Sequence, residues 1–334
     1  MRICVCGGGG LGHTCAGVLS NRPGVVVDML TNHPEKWNHE FVVNMPDCSN
    51  VIGKLDVVTS NPKDVIPYAD LIFFCLPAFM VEEEVLKIKP YLQKNTTVGA
   101  VVGNTGFFIY SHQHLPKGSK LFSFQRVPYV SRVVEYGKEA NLLGYRDKLI
   151  MAVENIEDKE SFRYQVEDLF GEETELADSY YEVTLSNSNP ILHTGRLYTM
   201  WKDWNGKPFD RCSLFYKEWT EEASQLEIEM DKEFFTLLKK LNVSTKHIET
   251  LLDHYESRNA KEMTAKLQSI VSLSTILSPM KRIDNGWIPD FKSRYFTEDF
   301  PFGLKTIFDL AKQNHVVCPN IERVYVWGSS KVSS

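Results

Sequence analysis

Nowhere in the 334 residues is there a run approaching the ~20 uninterrupted apolar positions that a membrane-crossing helix requires. The first residues also lack a basic patch leading into a cleavable apolar segment, so a cytoplasmic protein with no membrane partner is the expectation. Positive charge is in deficit: 37 Lys and Arg stand against 43 Asp and Glu, a formal net charge of -6. That balance argues against nucleic acid or an anionic lipid surface and leaves small molecules as the partners to consider, with a local cation wherever the small molecule is an anion. Zinc-site spacing is missing too. Cys4 and Cys6 share one strand-like run, but no second pair completes a tetrahedral site, and the odd total of seven cysteines reads as reduced structural thiols with no metal. His112 and His114 have no acidic or cysteine companions at ligand spacing, and Glu82-Glu83-Glu84 reads as a solvated helix face. No internal repeat is present. Apolar helix faces serve interiors and interfaces alike, so the sequence assigns no oligomeric state.

What is present is length enough for two cores. Met1 to Cys6 is an apolar strand-like run that breaks into Gly7-Gly8-Gly9-Gly10-Leu11-Gly12 and continues with a helical composition through Ser20. Val25–Thr31, Leu71–Leu76 and Thr97–Val102 read as further buried strands separated by helices, and alternation of this kind implies a doubly wound parallel sheet. Between Phe41 and Asn61 short alternations suggest an inserted hairpin, and strands recur at Lys120–Phe124 and Leu149–Val153. From about Ser179 the pattern changes to amphipathic stretches at Tyr181–Met200, Lys217–Lys240, Lys246–His254 and Asn259–Leu277, with a last helix from about Phe302 to Gln313. The expected architecture is α/β: a Rossmann-type domain over 1-178 followed by an α-helical domain over 179-334.

Gly7-x-Gly9-x-x-Gly12 follows the first strand and opens a helix, which is the context a dinucleotide fingerprint needs. Glycines there allow a tight turn, close approach of the backbone to a pyrophosphate and close helix packing; Gly10 adds to the same loop. The reading of a bare flexible turn ranks below the cofactor reading because of that context. At the tip of the second strand stand Thr31 and Asn32, followed by His33, with no carboxylate to bind a ribose 2'-hydroxyl. Asp28 lies inside the strand and Lys36 is near enough to meet a phosphate, so both NAD and NADP stay open. Pro77, after the strand ending at Leu76, borders the expected cofactor crevice.

In the helical half Asn189 and His193 stand four residues apart, on one helix face. Reduction of a carbonyl or imine needs a proton donor beside the hydride acceptor, and histidine is suited to that at neutral pH. A lone helical histidine is more often a surface or core residue; His193 gains weight from Asn189 and Arg196. Further on, Arg294 offers a planar fork for a carboxylate and Asp299 an anion for an amine. The plainer reading pairs Arg294 with Glu298 or Asp299 and lets Asp299 stabilise the next helix N-terminus.

Several separated segments, Cys4-Val5-Cys6-Gly7-Gly8-Gly9, Leu76-Pro77-Ala78-Phe79, Asn189-Pro190-x-x-His193 with Gly195-Arg196, Trp204-Asn205-Gly206-Lys207-Pro208 and Pro289-Asp290-Phe291 through Arg294-Tyr295-Phe296-Thr297-Glu298-Asp299, resemble those of the octopine, nopaline and related opine dehydrogenases. The resemblance spans nearly the whole chain. It implies a Rossmann-type domain, a helical domain, and NAD(P)H-dependent condensation of an amino acid's amine with a pyruvate-like 2-oxo acid through an imine. It also implies proton transfer at His193, a carboxylate ligand in Arg294, an amino-acid ligand in Asp299, and substrate-lining positions at Asn104 and Ser131. Some octopine enzymes carry histidine at the position of Asn189, which leaves 189 and 193 as two positions for proton transfer. Two rivals stand beside this reading, an amine-independent 2-oxo acid reductase and a dinucleotide-binding sensor without turnover.

Overall fold

Strand β1 (Arg2–Cys6) is buried at every position after Arg2, as a continuous apolar run must be when a parallel sheet is covered on both faces. Its side chains alternate between two cores: Ile3 and Val5 enter one, Cys4 and Cys6 the other. In the computed structural model, which describes residues 1–332, β1 leads into α1 (Gly10–Leu19), β2 (Val26–Leu30), the hairpin β3 (Glu40–Asn44) and β4 (Asn50–Lys54), then β5 (Val58–Thr59). Next come β6 (Leu71–Phe74), α2 (Ala78–Ile88), β7 (Thr97–Ala100), α3 (Phe107–His114) and β8 (Lys120–Phe124). A second hairpin, β9 (Tyr129–Glu135) and β10 (Glu139–Tyr145), precedes β11 (Lys148–Glu154), α4 (Lys159–Phe170), β12 (Glu173–Leu176) and α5 (Tyr180–Thr184).

The main sheet has eight strands in the order β12-β11-β8-β7-β6-β1-β2-β5. Neighbours run parallel except β8 and β11. The chain moves outward from β1 to β2 and then crosses back to β6 on the other side of β1, so the carboxyl ends of β1 and β6 form the switch point where a ligand crevice opens in such sheets. Asp28 on β2 is fully buried and takes two bonds from Arg2, at 2.8 and 2.9 Å. The expected hairpin after Phe41 is there, but it belongs to a separate sheet, β4-β3-β10-β9. Nothing in the sequence reading announced β9 and β10. Val130, Val133, Val134, Leu143 and Tyr145 on them face solvent, which erases the alternation that marks a half-buried strand. Glu84, expected on a solvated face, is buried on α2, where burial pushes its carboxyl up and Lys87 lies 3.7 Å away.

The chain divides into two compact units, Met1–Thr184 and Leu185–Ser334. The sheet unit runs past 178 because Val183 of α5 joins the core that also holds Phe107 and Phe108. The second unit contains α6 (Asn189–Trp201), α7 (Glu221–Lys240), α8 (Leu251–His254), α9 (Ala260–Ser269) and a small hairpin, β13 (Met280–Ile283) with β14 (Gly286–Pro289). A π-spaced helical segment, Tyr295–Leu304, runs directly into α10 (Lys305–Gln313), and α11 (Pro319–Val332) follows. The expected single helix over Tyr181–Met200 is therefore two, because Pro190 sits in the first turn of α6, where its missing N–H is no loss. Helix α7 starts at Glu221 rather than Lys217: Thr220 caps it through Ala223 N–H, and Glu221 and Glu222 fall in the first turn. The helix expected from Phe302 begins at Tyr295, its wider π spacing accommodating Pro301.

Asp231 on α7 accepts the Leu251 N–H at 3.0 Å and so holds the start of α8. Burial pushes its carboxyl from 3.8 up to about 6. A carboxyl raised on folding contributes stability that is complete below its unfolded value and is lost as pH rises through the folded one. Relative to Asp231→Asn, which keeps an acceptor oxygen, the wild-type protein is expected to lose up to ~3 kcal/mol of stability between about pH 4 and pH 6. Urea titrations across that window check it, and parallel pH dependences for the two proteins would refute it.

Candidate active site

The glycine loop sits at the switch point, and its glycines do different things. Gly7 has φ +110°, and a Cβ there would lie 2.6 Å from the Cys75 carbonyl oxygen, so only glycine lets β1 and β6 end side by side. A Cβ on Gly12 would fall 1.8 Å from the Gly7 carbonyl oxygen, so its absence is what brings α1 onto the loop. At Gly9 a Cβ would meet no described atom within 4 Å. Gly9 is also the N-cap of α1 and offers no side chain to the helix's first N–H groups. Two glycines thus serve packing and the third leaves open backbone at a positive helix end, a cradle that fits a pyrophosphate. A Cβ on Gly10 would lie 3.3 Å from the main chain of Ser131. Pro77, the N-cap of α2, follows Leu76, whose Cδ2 lies 2.7 Å from the empty Cβ position of Gly7.

Around this loop the structure adds residues that the motif does not name. The Tyr136 hydroxyl bonds Thr31 Oγ1 at 2.8 Å and would stand 2.3 Å from a Cβ on Gly8. Thr31 is therefore buried and partnered, while Asn32 is exposed. His13 is fully buried. Its Nε2 accepts the Gly137 N–H at 2.8 Å, so the ring proton is on Nδ1 and is donated to the Gly9 carbonyl at 2.9 Å. Burial lowers the pKa of this imidazole, which stacks on Trp37 at 4.1 Å and ties the glycine loop to the β9–β10 turn. Ser131 Oγ is bonded to Thr14 Oγ1 at 2.7 Å, on the first turns of α1. Asn104 is half-buried in the turn after β7.

In the helical unit His193 is 8% exposed on α6 and both ring nitrogens are engaged. Nδ1 lies 2.9 Å from Asp299 Oδ2 and Nε2 lies 2.9 Å from the Tyr216 hydroxyl. The ring of Tyr295 meets it edge-on at 4.8 Å. Asn189 shares the helix face one turn earlier, but neither bond of the imidazole goes to it; its own N–H donates to Asn187 Oδ1 at 3.2 Å. Orientation of the ring falls to Asp299 and Tyr216 and not to Asn189. Asp299, expected to meet an amine, is bonded to the imidazole. Arg294 makes the plainer pairing foreseen for it, a fork onto Glu298 through Nε and Nη2 at 3.1 and 2.8 Å. Its side chain stays 79% exposed.

Arg196 points away from the ring: Nη2 donates to the Glu218 carbonyl at 2.6 Å and Nη1 to Thr220 Oγ1 at 3.3 Å. Burial lowers its pKa to about 10. Facing it is Glu227, fully buried on α7, with its carboxyl pushed far above the usual range by burial. Tyr216 was missed in the sequence because it lies in a loop, 23 residues from its partner, where no spacing rule links them. Burial raises the pKa of its phenol.

The model of the NAD/NADP octopine/nopaline dehydrogenase alpha-helical domain family matches residues 176–332, and that of the ketopantoate reductase PanE/ApbA family matches residues 3–104. An opine dehydrogenase of Haliotis discus hannai is 28% identical, over 97% of this chain and 88% of its own length. A tauropine dehydrogenase of Arabella iricolor is 27% identical, over 97% of this chain and 90% of its own. The helical half thus matches the octopine/nopaline dehydrogenase domain, and the whole chain is similar to opine and tauropine dehydrogenases. Its fold is that of a solved octopine dehydrogenase in complex with NADH and L-arginine, with a TM-score of 0.90 at 24% identity, covering 100% of this chain and 90% of that one. This homologue of opine dehydrogenases is an NAD(P)-dependent oxidoreductase.

The differing roles of the glycines separate in mutants. Gly9→Ala is expected to melt like the wild type yet bind NAD(P)H at least ~10-fold more weakly, because its methyl enters only the open cradle. Gly12→Ala meets backbone and is expected to lower the melting temperature as well. Thermal melts with coenzyme fluorescence titrations distinguish the two, and wild-type affinity in Gly9→Ala would place the phosphates elsewhere.

Proposed function

We propose that this chain condenses the amine of an amino acid with a pyruvate-like 2-oxo acid and reduces the resulting imine, with His193 moving the proton. The observation that carries the assignment is the buried grip on that ring: a carboxylate on Nδ1 orients it and supports its protonated form, the arrangement a general acid needs. Gly7, Gly9, Gly10 and Gly12, with Thr31, Asn32 and Pro77, would border the coenzyme, which when bound supplies the hydride. Both NAD and NADP are compatible with a strand tip that carries no carboxylate. Substrates are small molecules.

The amine attacks the 2-oxo carbon and its proton passes to the former carbonyl oxygen, giving a carbinolamine. His193 then protonates the hydroxyl, which departs as water and leaves the imine protonated on nitrogen, the form that takes up hydride. Arg294 holds the 2-oxo acid's carboxylate. Glu298 takes the Nε and Nη2 edge of the guanidinium and sets its direction, leaving Nη1 for the substrate. In this reading Asn189, on the face of His193, is a polar liner, and Asn104 keeps its assignment as a substrate-lining position. Ser131, bonded beside Gly10, fits the coenzyme side better than the substrate side.

His193→Ala is expected to lower kcat about 100-fold or more with coenzyme affinity nearly unchanged. The reaction itself is tested by following NADH and NADPH oxidation with pyruvate, alone and with a panel of amino acids. Oxidation that needs both substrates supports the proposal. Amine-independent oxidation would make the chain a plain 2-oxo acid reductase, and a folded, coenzyme-binding protein inert with every pair would make it a sensor.

A further inference from the structure

His193 makes a second hydrogen bond for which the reaction above has no use. A carboxylate only accepts, so the bond to Asp299 puts a proton on Nδ1 of the imidazole. The neutral ring then has only a lone pair at Nε2, and the group that meets it is the buried hydroxyl of Tyr216, as donor, at 2.9 Å. Among the described residues this hydroxyl proton has no other acceptor. When Nε2 takes up a proton, the hydroxyl must turn and accept, and its own buried proton is left without a partner.

We infer that Tyr216 is a positioning residue for proton transfer, one that favours the neutral ring at Nε2 and so opposes Asp299, which favours the charged ring at Nδ1. The inference rests on His193 as the proton carrier. The groups facing this pair are few. Asp299 and Tyr295 come from the π-spaced segment, and Tyr295 and Asp299 both act on the Tyr216 phenol. From α7 and from the end of α8, Glu227 and Tyr255 face the same phenol. Tyr216 is itself fixed by stacking on Trp219, with ring centroids 5.5 Å apart and planes at 14°, and by an edge contact with Phe215 at 5.1 Å. A phenylalanine keeps those contacts and loses only the hydroxyl.

The test uses the full chain with its coenzyme. Condensation requires the protonated ring, so kcat falls on the alkaline side as Nε2 loses its proton. Removing the group that favours the neutral ring, in Tyr216→Phe, is expected to move that fall up by roughly 0.5–1 pH unit, with KM for both substrates within about twofold. Asp299→Asn is expected to move it down. The His193 Hε1 resonance, assigned by its loss in His193→Ala, should show its titration midpoint moving in the same directions. A structural role alone would lower kcat without moving the fall. Nitrogen-15 spectra of the wild-type protein give a check that needs no variant: above the midpoint Nε2 should be unprotonated and Nδ1 should carry the hydrogen. A wild-type ring protonated on Nε2 overturns the inference, as does a Tyr216→Phe midpoint that stays in place or moves down. A midpoint that moves while the kcat profile does not overturns the role in the reaction together with the assignment of His193, on which the His193→Ala assay reports separately.

Discussion

The approach of α1 to the end of β1 is made by backbone touching backbone, and the architecture of the sheet unit follows from it. With any side chain at position 12, the helix would have to stand off from the Gly7 carbonyl, and its N-terminus would leave the switch point between β1 and β6. A helix end is useful to a polyanion only within its first turn, where the uncapped N–H groups and the dipole act together. A displacement of a few ångströms would therefore remove the phosphate cradle while leaving the sheet intact. His13 secures the same contact from the other side, holding the Gly9 carbonyl and the Gly137 N–H in one neutral ring.

The helical unit solves a different problem, that of keeping one titratable ring in place inside an apolar environment. An imidazole buried among Phe215, Tyr216 and Tyr295 would carry a costly unpaired polar atom unless both nitrogens were satisfied. Asp299 and Tyr216 satisfy them from opposite edges and from elements far apart in sequence, so the orientation of the ring is set by the tertiary fold and not by α6 alone. The π spacing from Tyr295 brings Arg294 and Asp299 onto neighbouring turns of one segment while each keeps its own partner.

Much of this was legible before any coordinates. The strand, glycine and helix order at the N-terminus is dictated by local sterics, and such sterics are written in consecutive residues; the parallel strands are short apolar runs whose burial on both faces leaves no ambiguity of phase. The second sheet was illegible for the converse reason, since β9 exposes its valines and β10 exposes Leu143 and Tyr145, residues that would have marked an inner face. In the site, His193, Arg294 and Asp299 were legible as residue types, and so was the pairing of Arg294 with Glu298, but the partners of His193 were not. Spacing along a helix suggested Asn189 as the neighbour of His193, and the ring turned instead to partners 23 and 106 residues away. Asp299 was read by its charge as a ligand for an amine, whereas its position makes it a ligand for the imidazole. Tyr216 and Tyr136 carry no sequence mark at all, because a loop tyrosine is defined by what folds against it.

The two carboxylate pairings of the π-spaced segment, Glu298 with Arg294 and Asp299 with His193, differ in how easily they yield. Arg294 and Glu298 are four residues apart, and the guanidinium is largely in water. Exposed pairs of that kind are worth only ~0.3–0.5 kcal/mol, because solvent screens the attraction and two long side chains must be ordered to make it. On the proposed reading, a substrate carboxylate that offers a further charge-assisted contact has little to overcome there. His193 and Asp299 are far less exposed, at 11% and 17% of their side-chain surface. A broken pair there leaves a carboxylate partly buried beside aromatic rings, a larger penalty than any exposed pair incurs. In the proposed reaction a ligand would therefore meet one group that is easily recruited and one held in place, the division of labour that suits a substrate caught by its carboxylate and then presented to a fixed acid.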